Sequence, residues 1–219
     1  GTSQQIQAAI DQGQDVNALQ YGRTPLMAAA AYNHNPDAVS TLLKAGAALD
    51  ARGEYGNTAL MGAAGLNQNP EVIATLLKAG SDVNLKDNSG ITALMCAAQS
   101  NQNPEVIAQL LGAGADINAL SESDWNALMF AATYNENPEM IAALLNAGAD
   151  VTAEDAEGVT ALMYASGNNQ NPDVIMVLLK AGADAKAKDN GGKTAFDYAQ
   201  GNEKLQGTDA LRQLRKATP

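Results

Sequence analysis

Residues 55–88 read YGNTALMGAAGLNQNPEVIATLLKAGSDVNLKDN, and this stretch decides the fold. Thr58 is suited to cap a short helix of small residues that starts at Ala59 and runs to Ala64. Asn67 stands where that helix ends and is expected to close it in the left-handed conformation, which Asn tolerates. Asn69 is a second N-cap, Pro70 takes the first helical position, and Glu71 complements the helix dipole. Val72, Ile73, Leu76 and Leu77 form an apolar stripe at helical spacing. Lys78 falls in the last turn, and Gly80 predicts a positive φ at the helix end. The polar residues from Asn84 to Gly90 then turn the chain back towards the next capping Thr. Neither helix can bury its apolar face alone, so stacked neighbours must complete the core.

The same pattern recurs along the chain. Gly46, Gly80, Gly114, Gly148 and Gly182 are spaced by 34 residues, as are Pro36, Pro70, Pro104, Pro138 and Pro172. Leu26, Leu60, Leu94, Leu128 and Leu162 keep the same step. Three independent tracks in register identify a repeat array. Full repeats are expected at 21–54, 55–88, 89–122, 123–156 and 157–190. Residues 1–20 read as the second half of a repeat, with Thr2 capping a helix that Gly13 ends. Residues 191–219 read as a C-terminal cap whose last helix Lys204, Arg212, Arg215 and Lys216 keep soluble. With no linker between repeats, the whole of 1–219 is expected to form one domain.

Composition narrows the function. Against 13 Lys and Arg stand 24 Asp and Glu, a net charge of -11, which argues against a nucleic-acid backbone as ligand. No apolar run approaches the roughly 20 residues that span a bilayer. The single cysteine, Cys96, excludes an internal disulfide framework and a multi-Cys zinc site. His34, the single histidine, lies in a different repeat from Cys96, so the two are not expected to act as nucleophile and base. Neither metal nor cofactor is expected, and the protein is not expected to be an enzyme. A soluble monomer fits best, either cytoplasmic or, with a leader removed, periplasmic.

The segments YGRTPLM at 21–27 and LLGAGADIN at 110–118 resemble the ankyrin repeat. The resemblance covers almost the whole chain and has a bacterial cast. It implies an all-α, curved and elongated solenoid of stacked helix-turn-helix pairs joined by hairpin-like loops, and it implies a protein partner. The repeat departs from the family's length of about 33 residues by one, placed in the Asn-x-Asn-Pro turn. Met27, Met61, Met95, Met129 and Met163 stand where the family carries His, so apolar packing is expected to replace that side chain's inter-repeat hydrogen bonds. The regular spacing of these methionines reads as core packing before a copper site.

Positions that vary between repeats are free to bind. They hold most of the aromatics: Tyr21, Tyr32, Tyr55, Trp125, Phe130, Tyr134 and Tyr164. By the resemblance, the hairpin tips and the exposed side of each first helix form the concave face. From Asp87 to Leu179 there is no Lys or Arg but twelve Asp and Glu, so the central repeats carry the negative charge and a basic partner is expected. The repeat of Trp125 also breaks pattern, with Asp124 for the hairpin Gly and Asn126 for the capping Thr. Trp125, Tyr134, Glu122 and Asp124 therefore head the expected contact set, followed by Tyr55, Tyr21, Tyr32 and Phe130, with Ile91 and Val159 completing it. Phe130 and Tyr164 also suit a core. Two other readings compete with this one. Acidic hairpins such as that of Glu154, Asp155 and Glu157 could serve metal-dependent chemistry, but they lack calcium-loop spacing. A stability-optimised scaffold without a partner is opposed by the irregular Trp125 repeat.

Overall fold

The computed structural model describes residues 2–217. Helix α1 (Ser3–Asp11) stands alone and is followed by helix pairs: α2 (Pro25–Tyr32) with α3 (Pro36–Lys44), α4 (Ala59–Leu66) with α5 (Pro70–Lys78), and α6 (Ala93–Ser100) with α7 (Pro104–Gly112). Then come α8 (Ala127–Tyr134) with α9 (Pro138–Asn146), α10 (Ala161–Asn168) with α11 (Pro172–Lys180), and α12 (Ala195–Ala199) with α13 (Asp209–Ala217). Among the described residues there is no strand, only two isolated bridges, Gln20 with Arg23 and Glu154 with Thr160. The chain divides into two compact units, Gly1–Ala97 with Glu105–Asp116, and Ala98–Pro104 with Ile117–Pro219. In the first, α2 packs on α4, and α3 on both α1 and α5. In the second, α10 lies against α8 and α12, and α11 against α9 and α13. First helices thus stack on first helices and second on second. No helix of the described residues is long and apolar enough to cross a membrane.

Local chemistry sets these helices as the spacing predicts. Thr58 Oγ1 accepts from Met61 N at 3.3 Å, and Asn69 Oδ1 accepts from Glu71 N at 3.0 Å, each filling an orphan donor of the first turn. Gly80 ends α5 at φ 96°. Thr2 caps α1 and Gly13 follows it at φ 81°. The five repeat-track methionines are all buried, none more than 4% exposed. Met27 and Met61 also turn Sδ back to within 3.4 Å of the cap N–H of Thr24 and Thr58. The thioether thus closes the cap that a polar residue would otherwise close. First helices approach closely because their facing residues are small: a Cβ on Gly62 would sit 3.4 Å from that of Ala31.

Two expectations are corrected. Asn67 is not left-handed; it is extended, at φ -92° and ψ 122°, and wholly buried. The reason lies in its side chain. Nδ2 donates to the carbonyls of Ala30 at 2.8 Å and Asn33 at 3.0 Å in the preceding repeat, while Oδ1 accepts from Asn69 N at 3.0 Å. The arrangement recurs at Asn135, which reaches Ala98 and Asn101, at Asn169, which reaches Ala132 and Asn135, and at Asn202, which reaches Ser166 and Asn169. Inter-repeat hydrogen bonds are therefore present, carried by asparagine rather than lost to apolar packing. The second correction concerns the stripe of α5. Val72, Ile73 and Leu76 are fully buried, whereas Leu77 is only partly covered.

The ladder and the caps have different weights. Asn67→Ala strands a buried carbonyl and is expected to cost about 3 kcal/mol, towards the upper end for a buried unsatisfied group. Asn69→Ala is expected to cost about 1 kcal/mol as a lost cap. Leu76→Ala should cost about 2–5 kcal/mol, and Leu77→Ala clearly less. Denaturant titration of the four variants checks the order; Asn69→Ala matching Asn67→Ala would refute the ladder's role.

Candidate interaction surface

Between the helix pairs the chain forms tight hairpins, four of them closed by their own first side chain. Asp87 Oδ1 accepts from Ser89 N and Ile91 N, at 2.8 and 2.9 Å. Asp155 Oδ1 does the same for Glu157 N and Val159 N, and Asp189 Oδ1 for Gly191 N and Lys193 N. In the hairpin of Trp125, Ser121 Oγ takes the role, accepting from Ser123 N and Trp125 N at 3.2 Å. The tips need a positive φ: Gly56, Gly90, Gly158 and Gly192 supply it, and Asp124 adopts it at 57°. Asn126 caps α8, as its substitution for Thr predicts, accepting from Met129 N at 2.9 Å.

Three pairs of successive hairpins are tied by a backbone bond: Glu54 N to Gly22 O, Asn88 N to Tyr55 O and Asn190 N to Glu157 O. Among the described residues no such bond joins the hairpin of Trp125 to that of Asp155. A ring contact takes its place: the Trp125 indole lies 4.2 Å, centroid to centroid, from Tyr164 of the next repeat. The indole also meets Phe130 edge-on at 5.2 Å and Tyr134 at 6.2 Å. These four rings form one cluster over α8 and α10. Tyr134 is 56% exposed, while Trp125, Phe130 and Tyr164 are partly buried. Tyr164 anchors the cluster by donating its hydroxyl to Asp155 Oδ2. Burial, and then the Asp155 carboxylate, push the Tyr164 phenol well above its ordinary pKa.

Other expected contact residues fall differently. Glu122 and Asp124 are exposed beside Trp125. Val159 is buried beneath its hairpin and offers no contact area; Ile91 is partly buried. Tyr21, Tyr32 and Tyr55, all exposed, converge with Ile6 and Ile10 of α1 on an open groove of about 1180 Å³ in the N-terminal unit. Tyr21 itself holds φ 51°. Asp155, read only as one of three clustered acids, is in fact 7% exposed and committed to its hairpin and to Tyr164. The signal that could have found it is the nine-residue step to Tyr164, repeated by Asp189 and Tyr198, whose hydroxyl donates to Asp189 at 2.6 Å.

The remaining chemistry-bearing side chains have structural partners. His34 Nδ1 lies 3.0 Å from Asn67 Oδ1. Cys96 is partly buried against Gly65, and burial together with the nearby Asp87 carboxylate pushes its thiol up to about 12. Asp82, Asp150 and Asp184 close loops by accepting from the backbone two residues on, as turn residues should. Among the described residues no three His, Cys, Asp or Glu are grouped to hold a metal ion.

Comparison with known proteins agrees with this architecture. A family model described as ankyrin repeats in three copies matches residues 1–87 and 62–155. Another, described as ankyrin repeats in many copies, matches residues 144–199. No curated protein matches the chain.

The raised acids imply a stability edge at high pH. Cys96, Tyr164 and Tyr198 all hold their protons more tightly folded than unfolded. The Cys96 contribution is complete below its unfolded value of 9.0 and is lost as pH climbs through about 12, and the two raised tyrosines lose theirs in the same direction. Melting temperatures across an alkaline pH series are expected to fall from about pH 9 onward, with Cys96→Ala delaying the onset. A parent curve flat to pH 11 would count against these assignments.

Proposed function

The chain belongs to the ankyrin-repeat family, and from that premise we propose that it is a scaffold that binds a basic protein partner on its hairpin and first-helix face. Ankyrin repeats are protein–protein interaction modules, and proteins built from them are generally not catalysts. The observation that carries the finer reading is the ring cluster of Trp125, Phe130, Tyr134 and Tyr164. All four occupy positions that vary between repeats, above a framework that does not vary. A large aromatic surface already held in place loses little entropy on binding, which is what makes Trp and Tyr frequent interface anchors. Glu122 and Asp124 stand exposed on the same hairpin, in a stretch with no Lys or Arg, and favour a positively charged partner. Charge of this kind acts chiefly on the rate of encounter.

Rings and acids are therefore expected to separate kinetically. Tyr134→Ala and Trp125→Ala should raise the dissociation rate of a protein captured by the parent chain, each costing about 2 kcal/mol at a true anchor. Tyr134 is the cleaner probe, since its exposed ring is not needed to place the hairpin. Glu122→Lys with Asp124→Asn should instead slow association at low salt, an effect that disappears near 1 M, where the Debye length is about 3 Å. Surface-bound kinetics at two salt concentrations read both. Parent-like kinetics in all variants would move the contact surface to the Tyr21, Tyr32 and Tyr55 groove.

A further inference from the structure

Trp125 belongs to a track that runs through every repeat at 34-residue steps: Arg23, Asn57, Ile91, Trp125, Val159 and Lys193. Its two ends are cations, and both cover a ring of their own repeat. The Arg23 guanidinium lies 5.9 Å from the centroid of Tyr32 and donates through Nη1 to the Tyr32 hydroxyl at 2.8 Å. Lys193 Nζ lies 5.8 Å from the centroid of Tyr198. The rings stand nine residues after the track in one case and five in the other.

In the Trp125 repeat both of those ring positions are aromatic, Phe130 at five and Tyr134 at nine. The track residue that would supply the cation is itself a ring. No other part of the central repeats can replace it, because no Lys or Arg occurs between Lys86 and Lys180. Tyr134, the counterpart of Tyr32, is 56% exposed, and its hydroxyl has no hydrogen-bond partner among the described residues. Four exposed acids, Glu122, Asp124, Glu154 and Glu157, flank the cluster on two neighbouring hairpins. The chain thus holds a cation over this kind of ring at either end of the track and leaves the middle one without.

We propose that Tyr134 and the adjoining Trp125 ring take an arginine side chain from the partner, seated on Tyr134 as Arg23 is seated on Tyr32. This rests on the proposed interaction surface and assigns its central ligand. A guanidinium suits the place better than an ammonium. It is planar and weakly hydrated, stacks on aromatic faces, and can donate to a phenol oxygen while lying over the ring. Surrounding acids raise the local concentration of such a cation, and the rings give it a contact that salt does not screen away.

The test uses a dye-labelled nine-residue Gly-Ser peptide carrying two Arg, and its twin with neutral, near-isosteric citrulline, read by fluorescence anisotropy. The Arg peptide is expected to bind about tenfold tighter at low salt, and still about threefold tighter in 1 M NaCl. Tyr134→Leu should abolish the salt-resistant preference, Tyr134→Phe should keep most of it, and Glu122→Gln should weaken only the low-salt part. Trp125→Arg is expected to rebuild the Arg23–Tyr32 pair internally and so block the peptide, with the melting temperature lowered by the lost Trp125–Tyr164 contact but the cooperative transition kept. Equal binding of the twins, a preference that vanishes at 1 M NaCl, or an unaffected Tyr134→Leu variant would overturn the assignment. A captured protein that depends on Tyr134 but is not displaced by the Arg peptide would overturn it too, while leaving the interaction surface standing. A captured protein indifferent to Tyr134 would instead remove the surface itself.

Discussion

At four joints of the array a buried amide carries the contact between repeats. The last carbonyls of a first helix have no partner within the helix. At Ala30 and Asn33 they are met by Nδ2 of Asn67, one repeat on, whose Oδ1 in turn fixes the start of its own second helix through Asn69 N. A single side chain therefore satisfies one repeat's helix end, sets the next repeat's turn, and fixes the distance between them. Because it is fully buried, no water can stand in for a lost bond, and the joint is right or costly. Asn135 and Asn169 repeat the same 34- and 37-residue reach, and Asn202 makes it one residue shorter, so the joints within a unit are built alike. Only on a uniform step do residues 34 apart come to occupy equivalent places.

This dependence explains which parts of the fold were legible in the sequence. Caps, proline starts and glycine ends act within a few residues, so Thr58, Asn69, Pro70 and Gly80 could be read directly. Asn67 could not be read the same way. A polar residue after a helix usually means a left-handed cap, and that local rule was outweighed by partners 34 and 37 residues away. The signal was still present, since Asn recurs at 33, 67, 101, 135 and 169 in a turn where any polar residue would satisfy solvent. Leu77 was misplaced for a simpler reason. Periodicity marks the apolar side of α5 but not which of two adjacent leucines meets α3.

The surface was legible in outline only. Variation on a repeated frame singled out Trp125, and the substitutions at Asp124 and Asn126 behave as their chemistry predicts. The ring contact with Tyr164 was hidden, because it depends on how the indole folds over a hairpin rather than on spacing along the chain. Asp155 was hidden likewise; its carboxylate looks like one acid among several until the hydrogen bond to Tyr164 is seen. Val159 shares the Trp125 track yet is buried, so membership of a variable track does not itself make a residue available.

A scaffold that binds through its variable positions must keep binding and stability apart, and the Trp125 hairpin shows how this is done. Between three other pairs of hairpins a backbone hydrogen bond makes the tie, as between Asn190 and Glu157. Here a tilted ring pair holds it instead, an interaction of about 0.5–1.5 kcal/mol beyond the area buried. Beneath it, Asn135 and Asn169 keep α8 and α10 in register whatever the rings do. The proposed contact rings thus stand on a layer whose register they do not set, so substitutions among them bear on the surface more than on the stacking of the helices below.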